Sequence, residues 1–236
     1  MTMMNTNRMK AVATVLLGAV VLGGLGVDAR GGPIPRGPQA VTRPAPLPPE
    51  ATATARNVVG FLAGRPLSEK AMRFRVQGAA AAGALSLESP LTVYRVSTAT
   101  LKHFRAQDDP TSLLTGGAEA LYPVAVGGAV HTSVEVRLER GAWRQGAIGM
   151  GTLASQLVAA RAQDMQNSRQ SVDAYCEVWI PGLGLHFLGR LLPGSFVLIP
   201  VRSETAIGLR AGVAYPAAEV FQKLAPWAAA TDGKMS

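Results

Sequence analysis

Residues 121–150, LYPVAVGGAVHTSVEVRLERGAWRQGAIGM, limit the possible folds more than any other stretch of the chain. Val130, Thr132, Val134, Val136 and Leu138 alternate with His131, Ser133, Glu135, Arg137 and Glu139. A period of two puts alternate residues on opposite faces of a strand, here an apolar set with one threonine against a polar set. Tyr122, Val124 and Val126 precede Gly127-Gly128, and Arg140-Gly141 separates Glu139 from Ala142 and Trp143. Such pairs between alternating runs mark hairpins, because glycine accepts the positive φ of tight turns. The stretch predicts a three-stranded antiparallel meander over about 121–149, one face wet and one packed.

A second meander is expected over about 174–202. AYCEVWI alternates Cys176, Val178 and Ile180 against Tyr175, Glu177 and Trp179, and Pro181-Gly182 and Pro193-Gly194 suit turns. Pro200 assigns the last strand to an edge or a bulge. Between the meanders, residues 152–169 form the best helical pattern, with Leu153, Leu157, Val158 and Met165 as the buried stripe and Arg161, Asp164 and Arg169 outside. This helix is the expected cover for the core face of the first meander. Shorter helices are expected at 51–63, after Ser97, and at 216–224, and strands from Met72 and at 90–96. Runs of antiparallel strands with segregated helices mean an α+β fold, a curled sheet packed against a long helix and shorter flanking helices. That order of elements resembles cystatin-like and NTF2-like domains, and no family motif accompanies it.

The N-terminal part reads differently. Arg8 and Lys10 precede an uncharged apolar run at 11–27, and Val27-Asp28-Ala29 has small residues where a signal peptidase cuts, so residues 1–29 are expected to be a signal peptide cleaved after Ala29. The alternative is an uncleaved anchor, which a run this short and glycine-rich serves poorly. Residues 30–49 carry seven prolines and three glycines and are expected to be a disordered linker. A single domain is expected over 50–236. The net charge of +8 is concentrated in the tail. Without Arg8, Lys10, Asp28, Arg30, Arg36 and Arg43, 18 basic residues face 14 acidic ones. That mild balance argues against a nucleic-acid binder.

Candidate chemistry is sparse. Gly146-Ala-Ile-Gly149-Met-Gly151-Thr152 joins a strand to a helix, but its spacing fits no phosphate loop and no lysine follows. The single cysteine, Cys176, falls on the apolar side of its strand and reads as core, with His186 the nearest partner were it a nucleophile. His103, His131 and His186 have no metal-ligand spacing, so no metal or other cofactor is expected. Asp108-Asp109-Pro110 reads as a turn. No serine elbow is present, although Gly194-Ser195 invites comparison with one. Catalytic residues are therefore expected to be absent. Trp143, Tyr175, Glu177 and Trp179 are the candidate binding residues, since exposed aromatics beside a carboxylate anchor interfaces. The sequence points to an exported, non-catalytic binding or accessory domain whose ligand is a protein, a polymer or a small apolar molecule. The alternatives are a secreted hydrolase with a site assembled from scattered residues, and an accessory protein held on the membrane by an uncleaved signal.

Overall fold

The computed structural model describes residues 41, 43–63 and 85–232. The signal expected at 1–29, most of the linker and the strand expected from Met72 lie outside these residues. Nine strands form one open, mostly antiparallel sheet: β1 (Leu85–Leu87), β2 (Leu91–Arg95), β3 (Thr115–Val126), β4 (Ala129–Glu139), β5 (Ala142–Gly149), β6 (Tyr175–Ile180), β7 (Leu185–Leu192), β8 (Ser195–Pro200) and β9 (Tyr215–Pro216). Their order is β5-β4-β3-β2-β6-β7-β8-β9, with β1 on β3. The helices are α1 (Pro49–Ala63), α2 (Thr98–Leu101), α3 (Gly151–Ser168) and α4 (Ala217–Asp232). The fold is α+β, and both meanders form where the alternation places them. The turn after β6 is a 3-10 turn over Pro181–Leu183 closed by Gly184, not a two-residue turn at Pro181-Gly182. No helix among the described residues is long and apolar enough to cross a membrane.

The meanders join through the single parallel pairing, β2 against β6, with Thr92 opposite Cys176 and Tyr94 opposite Val178. Helices cover both faces, unlike the single helix on a curled sheet that the element order resembles. On one face α1 packs on Tyr122, Val124, Val134 and Val136 of the first meander. On the same face α2 and α4 pack on Val178, Phe187 and Leu198 of the second, with Phe221 edge-on to Phe104 and Phe196 at 5.7 and 6.1 Å. The opposite face belongs to α3, whose Ala154 and Leu157 meet Val93, Leu121, Leu91, Tyr175, Leu188 and Ile199.

Two expectations are corrected here. Val134 and Val136 are covered by α1 and not by α3. Val130 does turn to α3, because a bulge at His131 pairs Val124 with Thr132 but Ala125 with Val130 and so reverses the alternation. The second correction concerns α3. Arg161 and Asp164 point inward and are buried, while Leu153, Val158 and Met165 are only partly covered. Arg161 donates to the Ser89 carbonyl at 2.9 Å, and Asp164 accepts from Tyr175 Oη at 2.7 Å and from Arg190. Desolvation lowers the pKa of Arg161 below the ordinary arginine value. The helix is tied to the sheet partly by polar bonds, and its apolar stripe is correspondingly weak.

Packing also reaches back into the proline-rich stretch. Val41 touches the α4 cluster and Leu47 the α1 cluster. Between them the Ala45 N–H donates to Tyr94 Oη at 3.0 Å, and Thr92 Oγ1 donates to the Ala45 carbonyl at 3.1 Å.

Both faces of β4 are buried at its centre: Val134 and Val136 are fully covered, and Ser133 and Glu135 nearly so. Val134→Ala should cost about 1–3 kcal/mol through a cavity under α1. Glu135→Ala should cost about 1 kcal/mol through loss of its charged bond to Arg137, which is more than a surface change. Urea unfolding of the two variants measures both, and a neutral Glu135→Ala would contradict burial of that face.

Candidate functional site

The α3 cover stops partway along the sheet. Strands β2 and β6 both begin under the helix, at Leu91 and Tyr175, and both run past it to Arg95 and Trp179. Where the cover ends, five neighbouring strands contribute one band of side chains: Arg137 from β4, Glu119 from β3, Arg95 from β2, Trp179 from β6 and His186 from β7. Cross-strand register builds most of it, with Glu119 opposite Arg137, Arg95 opposite Trp179 and Trp179 opposite His186.

Between β2 and β3 the register slips: Thr92 pairs with Ala120 but Tyr94 with Gly116, so the three residues Gly117 to Glu119 lie opposite Val93 alone. Gly116 and Gly117 have φ of 121° and 88°, and a Cβ on Gly116 would sit 2.9 Å from the Val93 carbonyl oxygen. Only glycine fits such a backbone. The irregularity brings Glu119 within reach of two guanidinium groups. Arg95 Nη2 donates to its Oε2 at 2.6 Å and Arg137 Nε to its Oε1 at 2.9 Å. Arg137 Nη2 also donates to Glu135 Oε2 at 3.0 Å. Burial opposes the charge on Arg137, but Glu119 and Glu135 outweigh it and raise its pKa above the ordinary arginine value. Both arginine side chains remain about two-fifths exposed, at 40% and 41%.

Trp179 is held from both sides. The Arg95 guanidinium carbon lies 4.8 Å from its ring centroid, and the His186 ring stacks on it at 5.5 Å and 9°. His186 Nδ1 is 2.7 Å from Glu177 Oε1, and that carboxylate is only 3% exposed. Donation of the Nδ1 proton to Glu177 leaves Nε2 as the free ring nitrogen. Among the described residues the buried Nε of Arg95 has no hydrogen-bond partner, which native cores seldom tolerate.

The four candidate residues do not converge. Trp179 belongs to the band, and Glu177 is buried beside it, bonded to His186. Tyr175 shares their face but lies under α3, its hydroxyl bonded to Asp164. Burial, ahead of its other contacts, pushes the Tyr175 pKa above 10.0. Trp143 is on the other face, packed in the α1 cluster, and its carbonyl accepts from Thr54 at 3.4 Å. Arg95 and Glu119 are site residues that the local patterns did not single out, and His186 entered there only as a possible partner of Cys176. A charge inside an otherwise apolar strand, as at Glu177, was the available signal.

The other candidates take structural places. Asp109 caps a 3-10 turn through Thr111 N–H at 2.9 Å, and Asp108 accepts from Arg105 N–H at 2.7 Å. His103 and His131 are exposed. Among the described residues no group of three His, Cys, Asp or Glu side chains could hold a metal ion. Cys176 is fully buried on the face away from His186, with Sγ 3.6 Å from the Gly189 carbonyl oxygen. Burial, then repulsion by Glu177, raises its thiol pKa well above the ordinary 9.0.

This thiol gives a signed prediction. Above pH 9 the unfolded chain loses the Cys176 proton and the folded one keeps it, so stability falls as pH rises, by up to about 1.4 kcal/mol per pH unit. Tyr94, Tyr122 and Tyr175, raised chiefly by burial, act in the same direction but from an ordinary 10.0. Cys176→Ala should remove the part of the slope that begins near 9. Urea unfolding between about pH 8 and about pH 10 measures it, and equal slopes in both proteins would contradict a buried neutral thiol.

No protein-family model matches the chain, and no curated protein or solved structure is detectably similar to it.

Proposed function

We propose that this chain is a non-catalytic binding domain, exported by its N-terminal segment, that engages a protein partner through the Trp179-centred band. The band itself supports the reading: a half-buried tryptophan between a guanidinium and an imidazole, at the point where the helical cover of the sheet ends. Tryptophan and arginine are the residues that most often carry interface energy. Both signs of charge are present, which suits the mixed polar surface of a protein better than a small apolar ligand. A photoreactive amino acid at exposed Glu139, on the rim of the band, should give a discrete protein adduct in the producing cells. The same group at Gln166, on the outer side of α3, should give none. Equal labelling, or none at either position, would refute the reading.

One observation favours a second reading, the hydrolase. A buried carboxylate orienting a histidine is half of an acid–base device. Among the described residues no hydroxyl or thiol is bonded to His186. Turnover of an ester panel by the full chain, lost in His186→Ala, would support this reading over the first.

A further inference from the structure

We propose that the cleft where β2 and β6 begin is a second binding site, for a small zwitterion such as an amino acid or short peptide. It does not rest on the reading of the Trp179 band. The cleft has a volume of about 610 Å³, within the range of small-molecule sites. One wall is the strap Arg43–Leu47, the other the turn Gln170–Ala174, with Thr92 and Tyr175 between them.

Both walls are tied to the rest of the fold by hydrogen bonds. Ala45 is bonded through its N–H and carbonyl to Tyr94 and Thr92. The turn is closed by Ala174 N–H on the Ser171 carbonyl at 3.1 Å and anchored by Tyr175 on Asp164. A site with rigid walls costs less to fill than one that must order on binding.

Its charges set the ligand class. Arg43 lines the cleft from the strap and Asp173 from the opposite turn. Neither forms an ion pair with a described residue, although Arg95, Arg137, Arg190 and Lys223 all do. A guanidinium and a carboxylate that line one cleft without pairing match a ligand that carries a carboxylate for Arg43 and an ammonium for Asp173. Between them Pro44, Pro46, Pro90 and Leu192 offer rigid apolar surface for an aliphatic side chain.

Calorimetric titration of the full chain with leucyl-leucine tests the site. The proposal expects saturable binding, weakened tenfold or more by N-acetylation or by amidation of the dipeptide. Arg43→Ala should weaken the dipeptide tenfold and make amidation immaterial. Asp173→Asn should do the same for N-acetylation. Thermal melts of the variants exclude misfolding, and both positions are exposed. No binding at millimolar dipeptide, or binding indifferent to both substitutions in folded protein, would overturn the proposal.

Discussion

Asp164→Ala is expected to destabilise the protein by about 3 kcal/mol, among the largest losses for a single polar side chain here. Asp164 is 7% exposed. It is the shared acceptor for Tyr175 Oη, Ser168 Oγ and Arg190 Nη1. Removing it leaves a guanidinium with little access to water and no counter-charge among the described residues, where its Nε already lacks a partner. Breaking one side of a buried pair costs more than the pair contributes, because the remaining charge stays desolvated. Asp164→Ala with Arg190→Met should recover much of the loss, since a Met side chain carries no charge to strand. Denaturant unfolding of the single and double variants measures both effects. A loss below about 0.5 kcal/mol for the single variant would put Asp164 back on the wet side of its helix.

Gly151→Ala is expected to cost at least as much, about 3 kcal/mol or more, by a steric route. A Cβ on Gly151 falls on the His131 carbonyl, 2.8 Å from its carbon and closer still to its oxygen. The obstacle is backbone of β4 at its bulge, so no side-chain rotation relieves it. Met150, just before, has φ of 53° in the left-handed region, which fixes the direction in which α3 leaves β5. Gly151 therefore lets the helix start against the strand, and the glycine-rich stretch 146–151 serves a tight strand-to-helix passage. A stable, fully folded Gly151→Ala protein would contradict this packing.

How much of this was legible follows from the range of each signal. Alternation in 130–138 and 174–180 located strands and faces, because a period of two is a local property of the chain. The same alternation placed Tyr175, Glu177 and Trp179 together on one face, and they are there. It carried no information on where α3 stops, which alone separates the buried Tyr175 from the half-open Trp179. It also ran past the bulge at His131, where one extra residue moves Val130 to the α3 face. The inward turn of Arg161 and Asp164 was hidden because charged residues on a helix usually face water, and these two have partners in strands and loops distant in sequence. The band itself could not be assembled from local pattern. It needs the parallel pairing of β2 with β6, which brings Arg95 beside Trp179 across a long sequence separation.

The affinity of Trp179→Ala for the partner identified by cross-linking from Glu139 tests the central claim most directly. Trp179 fills the centre of the band between Arg95 and His186, so its removal should weaken binding about 30-fold, equivalent to about 2 kcal/mol, while the thermal midpoint shows that the domain still folds. Trp143→Ala, on the opposite face, should leave the affinity unchanged. An affinity within about twofold of the parent for Trp179→Ala, or a larger loss for Trp143→Ala, would contradict the assignment of the binding surface.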